Sequence, residues 1–218
     1  MPQLKIAFAA PLAAARARAE GPFAVVERPA DGQEHPTQKW VDLSGKGLGF
    51  TLFNDSRYGY DALGGRLRMT LLRNAYGPDP DTDNGTHRIR LGFVPQGGAV
   101  PSAALVRQGM AFNRPPWCLP ARGAPRKAPP WLRIDGAAGI VCTSLHRAER
   151  AGGLILRFFE ADGRPGRAEV RCGGGIIAAA AVAFLERPVR DAVRVRRGAA
   201  RLRFRPYEVK TLRIRTAR

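Results

Sequence analysis

The side chains best suited to binding chemistry lie in one eight-residue run that reads NDSRYGYD over residues 54–61. Asp, Asn and Arg form paired hydrogen bonds to sugar hydroxyls, and aromatic rings pack against sugar faces. The candidate binding residues are Asn54, Asp55, Arg57, Tyr58, Tyr60 and Asp61. The alternative is a self-contained turn in which Asn54 and Asp55 accept hydrogen bonds from backbone amides. For this chain alone, that turn is the preferred interpretation.

A second polar cluster contains the acidic residues Asp79, Asp81 and Asp83 together with Asn84. Its spacing is similar to the start of a calcium-binding loop. However, Gly85 falls one place late, and Arg90 stands where such a loop needs a bidentate glutamate. We interpret the cluster as a solvated turn and predict no metal site.

Catalytic patterns are missing from the sequence. Glycoside hydrolysis needs two carboxylates across the scissile bond. The remaining acidic residues are spread over separate strands, mostly beside arginines, and surface ion pairs are the preferred interpretation; they include Glu149, Glu160, Glu186 and Glu208. The histidines His35, His87 and His146 do not have metal-ligand spacing. We therefore assign no catalytic residue and no cofactor to this chain.

Short segments of alternating apolar and polar residues recur between Gly, Pro, Asn and Asp, which predicts an all-β, antiparallel sandwich fold. The predicted strands are 4–9, 23–27, 39–43, 48–53, 67–73, 88–94, 139–145, 154–160, 168–171, 178–185, 193–196, 201–205 and 209–215. Gly64-Gly65 and Asp162-Gly163 predict tight turns. Helices are predicted only over Ala10–Ala19 and Ala103–Ala111.

The stretch from Arg114 to Pro130 is rich in proline and has no periodicity, which is typical of an extended connector. It predicts a larger β-sandwich over residues 1–113, a connector over 114–130 and a smaller β-sandwich over 131–218. Trp40 is expected in the core, whereas Trp117 and Trp131 are expected to hold the connector against a sandwich.

The net charge is +18, but only five of the 36 basic residues are lysines. Many arginines alternate with apolar residues, as in Val193-Arg194-Val195-Arg196 and Leu202-Arg203-Phe204-Arg205. Because side chains alternate between the faces of a strand, these arginines are expected on solvated sheet faces. This interpretation is preferred over the alternative, a nucleic-acid-binding groove.

Three widely spaced cysteines, Cys118, Cys142 and Cys172, argue against a disulfide framework and are expected to be small buried groups.

No secretory signal is recognised, and the longest apolar run, ten residues over 176–185, is too short to cross a bilayer. The expected location is the cytoplasm.

Several blocks of the sequence are similar, in order and spacing, to a known family. They include WVDLS followed by NDSRYGYD within residues 38–61, LRMTLLR at the start of 67–98, and RFRPYEVKTLRIR over 203–215. Residues 21–29, 111–115 and 140–170 match further blocks. Together they resemble the C-terminal β-sandwich region of glycoside hydrolase family 38, especially its bacterial and cytosolic α-mannosidase branch. One departure is Pro95-Gln96-Gly97-Gly98, where the family commonly has Pro-His-x-Gly.

The resemblance implies a retaining α-mannosidase whose Asp nucleophile and zinc ion lie in an N-terminal α/β domain. No segment of this chain matches that domain, so the nucleophile and zinc are expected in a missing or separately encoded catalytic domain. The resemblance also implies that residues 54–61 face the catalytic domain, where Arg57 and Tyr58 reach mannose-containing glycans. By position it adds His87 to the candidate binding residues, although a structural turn histidine is preferred.

The sequence thus predicts a non-catalytic β domain of an α-mannosidase. The rival hypotheses are an independent carbohydrate-binding module, nucleic-acid binding through arginine-rich faces, and an inactive remnant of a broken gene. Because the face that packs on a catalytic domain would be apolar and exposed, self-association is also expected.

Overall fold

Alternating sequence patterns produce seventeen β-strands and one helix in the described part of the chain. The structure is a computed structural model that describes residues 3–12, 15–75, 77, 79, 81–120, 123, 130–149 and 152–217. The pairings between its strands are all antiparallel. The chain divides into two compact units, residues 1–116 (unit 1) and 117–218 (unit 2).

Unit 1 contains two sheets and the helix. One sheet has the order β1-β8-β7-β4, with β1 at Gln3–Ala9, β8 at Arg66–Arg73, β7 at Gly59–Leu63 and β4 at Asp31–Pro36. The other has the order β3-β2-β5-β6-β9, with β3 at Ala24–Pro29, β2 at Arg16–Gly21, β5 at Trp40–Ser44, β6 at Gly49–Asn54 and β9 at Leu91–Gln96. Helix α1 spans Ser102–Asn113.

The core of unit 1 lies between these sheets. It is formed by inward-facing residues that include Leu43, Phe50, Tyr60 and Met69. Every residue of β5 and β6 is buried, because α1 packs on the second face of these central strands. A Cβ atom on Gly109 of α1 would lie 2.9 Å from Cδ1 of Trp40, so a glycine allows this close approach.

Unit 2 is a second sandwich of two four-stranded sheets. One has the order β10-β13-β16-β15, with β10 at Leu132–Gly136, β13 at Gly166–Cys172, β16 at Ala199–Phe204 and β15 at Arg194–Arg196. The other has the order β11-β12-β17-β14, with β11 at Ile140–Arg147, β12 at Leu154–Glu160, β17 at Val209–Thr216 and β14 at Ile176–Val182. Its core includes Leu156, Phe158, Val170, Leu212 and Ile214.

The all-β sandwich prediction is confirmed, and so is the helix predicted over Ala103–Ala111. The helix predicted over Ala10–Ala19 is wrong: residues 13 and 14 lie outside the described residues, and 16–21 form β2. In β2, Ala17 and Ala19 face the core at alternate positions. The period of two therefore outweighs the helix preference of alanine.

The predicted connector, residues 114–130, lies partly outside the described residues. Trp117 is 92 % exposed, so the expectation that it holds the connector is wrong. Trp131 does pack on unit 2, since its backbone carbonyl accepts a hydrogen bond from Gly173 N at 2.8 Å and its indole lies over that glycine.

The three cysteines are unpaired. Cys172 is buried and Cys142 half-buried, and burial raises the pKa of the Cys142 thiol to about 11. Cys118 is exposed because it lies in a proline-rich segment outside all four sheets. The expectation that all three thiols are buried is therefore wrong for Cys118.

Candidate functional site

The turn that follows β6 is fixed by Asn54, which is fully buried. Its side-chain Nδ2 donates to the Gln38 carbonyl at 2.8 Å, and its Oδ1 accepts from the backbone N–H of Arg57 at 2.9 Å. Asn113 Nδ2 donates to the Asn54 carbonyl at 2.9 Å. The Asx turn expected from the sequence is therefore present, and Asn54 acts inside the protein as its anchor.

Tyr58 lies at the accessible end of this turn, with 60 % of its surface exposed. Its carbonyl accepts a hydrogen bond from the Thr37 amide at 2.8 Å, so the turn is tied to the segment that enters β5. Tyr58 is one of the residues that line a groove of about 630 Å³ in unit 1. The other lining residues are Ala19, Glu20, Gly21, Pro22, Val26, Arg28, Pro36, Thr37, Gln38 and Lys39.

The groove contains one buried ion pair. Glu20 is only 4 % exposed, and its Oε1 lies 2.8 Å from Nζ of Lys39 while its Oε2 accepts from the Lys39 amide at 3.1 Å. Burial raises the pKa of Glu20, although the hydrogen bonds and charge of Lys39 oppose the rise. The groove therefore loses its carboxylate charge at a higher pH than an exposed glutamate would.

The two charged residues of the turn differ in how they are bound. Asp55 accepts from the Arg90 amide at 3.3 Å, and its Oδ2 lies 3.1 Å from Nε of Arg90, so its carboxylate is already engaged. Arg57 is half-buried, and among the described residues its buried Nε has no hydrogen-bond partner. This Nε is enclosed by the protein, and Arg57 is not among the residues that line the groove.

Tyr60 and Asp61 lie on β7 inside unit 1, away from solvent. Burial raises the pKa of Tyr60 to about 12. Burial also opposes ionisation of Asp61, but hydrogen bonds from Arg68 at 2.7 Å and Lys5 at 2.8 Å outweigh it and lower the pKa of this carboxyl. Both residues serve the sandwich interior, so the accessible part of the predicted run is Asp55, Arg57 and Tyr58.

His87 lies in the exposed polar turn, where its Nε2 is 2.9 Å from the Asp83 carbonyl. In the same turn the Asp81 amide donates to Asp79 Oδ1 at 3.0 Å. These contacts fit the solvated turn predicted from the sequence. Across the described ranges, no group of three or more His, Cys, Asp or Glu is arranged to hold a metal ion.

The sequence interpretation missed a buried polar network around Asp42, which is fully buried on β5. Arg18 Nη2 donates to Asp42 Oδ2 at 2.8 Å, Ser44 Oγ to the same atom at 3.0 Å, and Thr51 Oγ1 to Oδ1 at 2.9 Å. Gln96 Nε2 also donates to Oδ1. The donors come from β2, β5, β6 and β9, so Asp42 connects four strands. Gln96 is the residue that replaces the family's histidine.

Unit 2 has a comparable buried carboxylate, Glu160, which is 1 % exposed. It accepts from the backbone amides of Asp162 at 2.9 Å, Arg164 at 3.1 Å and Tyr207 at 3.0 Å. The sequence interpretation treated Glu160 as part of a surface ion pair. The structure corrects this: its carboxylate organises two loops of unit 2.

Two family profiles match the chain. The description "Glycosyl hydrolases family 38 C-terminal domain" covers residues 3–81, and "Glycosyl hydrolases family 38 C-terminal beta sandwich domain" covers residues 139–212. Fold and profiles together define a C-terminal β-sandwich region of a glycoside hydrolase. The chain belongs to glycoside hydrolase family 38, within the C-terminal region of its α-mannosidases.

Individual relatives agree with this assignment. Alpha-mannosidase 2C1 of Homo sapiens is 30 % identical over 172 residues, which cover 73 % of this chain and 16 % of that protein. Alpha-mannosidase G of Dictyostelium discoideum is 40 % identical over 75 residues, which cover 34 % of this chain and 7 % of that protein. The chain therefore spans only a small part of the length of these relatives.

The fold also matches a solved structure. The crystal structure of an alpha-mannosidase from Enterococcus faecalis V583 superposes with a TM-score of 0.79 at 21 % identity, over 98 % of this chain and 26 % of that chain.

Among the described residues of this chain, no helix is both long and apolar enough to span a membrane.

Proposed function

We propose that this chain acts as the C-terminal β region of an α-mannosidase, supporting a catalytic domain and presenting the 54–58 turn and its groove to substrate. The observation that carries the proposal is an exposed tyrosine among the lining residues of a mostly apolar groove that contains the Glu20–Lys39 ion pair, in a member of this family. The nucleophile and the zinc ion of the reaction would come from the separate catalytic domain.

The groove has the chemistry that a saccharide needs. Tyr58 offers an aromatic face for a sugar ring, and Lys39, whose side chain is 30 % exposed beside the buried Glu20, offers a donor for a hydroxyl. Its volume, about 630 Å³, falls in the usual range for small-ligand sites.

The groove is suited to binding rather than hydrolysis. A glycosidase needs two carboxyl groups placed across the scissile bond. Glu20 is the one carboxylate among the groove-lining residues, and it is held by Lys39. The chain therefore contributes contacts, and bond cleavage is left to the catalytic domain.

Complementation in trans tests the proposal. A catalytic fragment of the Enterococcus faecalis α-mannosidase, lacking the region equivalent to this chain, would be assayed on an aryl α-mannoside with increasing amounts of this chain. We expect kcat/KM to rise and saturate. If both polypeptides are folded and activity does not exceed that of the fragment alone, the proposal is wrong.

A point variant separates support from substrate contact. Tyr58→Ala is expected to lower kcat/KM of the complemented enzyme roughly tenfold, equivalent to about 1.4 kcal/mol of lost transition-state binding. The matched control is Tyr207→Ala, which removes a tyrosine of similar exposure from unit 2. Equal effects of the two variants would contradict a substrate role for Tyr58.

An independent carbohydrate-binding module is the second candidate, since the groove is complete within unit 1. Calorimetry of this chain alone with methyl α-mannoside discriminates the two. Millimolar or tighter binding that is lost in Tyr58→Ala favours the module, whereas no binding without the catalytic domain favours the first candidate.

We also propose the cytoplasm as the location. The support is the presence of three unpaired thiols, which is typical of a reducing compartment. Fractionation of cells producing the natural protein, with a measurement of free thiols, tests this assignment.

A further inference from the structure

The positive charge of the protein is concentrated in unit 2. Residues 117–218 contain 22 Lys and Arg against eight Asp and Glu, a net +14, whereas residues 1–116 contain 14 against ten, a net +4. A bias toward arginine that acts on the whole sequence would affect both units similarly. The difference therefore needs a cause that is specific to unit 2.

Much of this charge lies in one hairpin at the edge of a sheet. Strands β15 and β16, the turn between them and the residue after β16 contain six arginines and no acidic residue over 194–205. These residues are Arg194, Arg196, Arg197, Arg201, Arg203 and Arg205, and all six are exposed. We call this segment the arginine hairpin.

The strand register arranges four of these arginines on one face. Arg194 is paired with Arg201 across the hairpin, and Arg203 is paired with Arg167 of the neighbouring strand β13. Alternate residues of β16, such as Leu202, are buried on the opposite face. Neighbouring strands are about 4.8 Å apart and alternate residues about 6.7 Å apart, so the guanidinium groups form a dense two-dimensional array.

The acidic partners on this face lie on β13 and β10, and one of them neutralises an arginine of the hairpin. Glu169 on β13 lies 2.8 Å from Arg201 and also pairs with Arg171. Asp135 on β10 pairs with Arg133 at 2.8 Å. In the part of the chain that the structure describes, Arg194, Arg196 and Arg203 have no ion-pair partner. Like charges held this close without neutralisation call for an anionic partner.

We propose that the arginine hairpin binds the phosphate backbone of double-stranded nucleic acid without reading its sequence. Guanidinium groups form paired hydrogen bonds with phosphate oxygens, which suits an arginine-only array. The exposed positions of the two strands all carry arginine and no aromatic ring, so the hairpin lacks the stacking platforms of single-strand binders. The sequence pattern favoured a solvated face, whereas the charge difference between the two units favours an anionic ligand.

Fluorescence anisotropy with a labelled 20-base-pair DNA duplex tests the proposal. Arg201 is neutralised by Glu169. If the other five arginines each neutralise one phosphate, log K falls with log salt at a slope of about −4.5, which is roughly a 500-fold loss between about 50 and 200 mM salt. The triple variant Arg194→Gln, Arg196→Gln, Arg203→Gln should reduce the slope to about −2.

A charge-matched control variant is available in unit 1. Arg66, Arg73 and Arg88 are exposed, and their triple replacement by Gln removes the same net charge. We expect this control to keep the steep slope. The replacement of Arg194, Arg196 and Arg203 by Lys should also keep it, and far-UV circular dichroism shows that each variant is folded.

Three results would overturn the proposal. The first is a flat salt response or no duplex binding at about 50 mM salt. The second is an equal loss in the unit 1 control, which would mean that only net charge matters. The third is binding of a single-stranded 20-mer, or of phosphatidylserine vesicles, that is as tight as binding of the duplex. None of these results depends on the outcome of the mannosidase assays.

Discussion

Replacing Asp42 by alanine should destabilise unit 1 more than any surface substitution. Asp42 is fully buried and receives donors from four strands, among them Arg18 at 2.8 Å. Its removal leaves a guanidinium that is only 17 % exposed without its counter-charge. Removing one partner of a buried ion pair typically costs about 3–5 kcal/mol.

That cost is a large share of the stability of one domain, which is usually about 5–15 kcal/mol. For a unit of this size it corresponds to a fall in Tm on the order of 15 °C. Differential scanning calorimetry of the full chain would measure it, and the transition of unit 1 should shift while that of unit 2 stays in place.

Glu27→Ala is the matched control, because Glu27 forms an exposed ion pair with Arg16 in the same sheet. Exposed pairs contribute about 0–1 kcal/mol. If Asp42→Ala costs no more than this control, the network does not hold the four strands together and the reasoning fails.

Three further predictions concern packing, pH and association. Gly109→Ala should destabilise unit 1 by about 1–3 kcal/mol in urea unfolding, because its Cβ would lie 2.9 Å from Trp40 and the crowding outweighs a helix gain of about 1 kcal/mol. Asp61, whose folded pKa is lowered, contributes stability above its unfolded pKa of about 3.9 that is lost as the pH falls through the folded pKa. Asp61→Asn should therefore be less stable at pH 7 and flatten the acid limb of unfolding below about pH 4. Exposed apolar side chains such as Leu119 and Leu185 should cause concentration-dependent association in light scattering.

Each of these has a clear contrary outcome. A Gly109→Ala variant at least as stable as the parent would show that α1 does not pack on Trp40 as described. Parallel acid limbs for the parent and Asp61→Asn would show that Lys5 and Arg68 do not stabilise the carboxylate. A monodisperse monomer at high concentration would contradict self-association.

Strands with strict alternation were predictable because one face of each must meet a core. The repeat Leu202-Arg203-Phe204 places two residues in the core of unit 2, as its pattern indicates. Strand β4, which reads DGQEHP, was missed because it has no apolar residue to reveal its inward face. Its pairing with β7 is decided by neighbours distant in sequence.

The candidate site was predictable only in part. The turn at Asn54 follows from local side-chain chemistry, and it was anticipated. The burial of Tyr60 and Asp61 depends on β7 lying inside a sheet, since the run NDSRYGYD reads as one polar turn in sequence. The groove beside Tyr58 brings together β2, β3 and the entry to β5. Glu20 and Lys39 meet only there, so no local pattern could have paired them.

A domain-swap chimera tests the central claim most directly. The region of the Enterococcus faecalis α-mannosidase that corresponds to this chain would be replaced by this chain, and kcat/KM on an aryl α-mannoside would be measured on folded protein. We predict an active chimera whose kcat/KM falls roughly tenfold with Tyr58→Ala and stays unchanged with Tyr207→Ala. A folded chimera with no more activity than the isolated catalytic part would contradict the account.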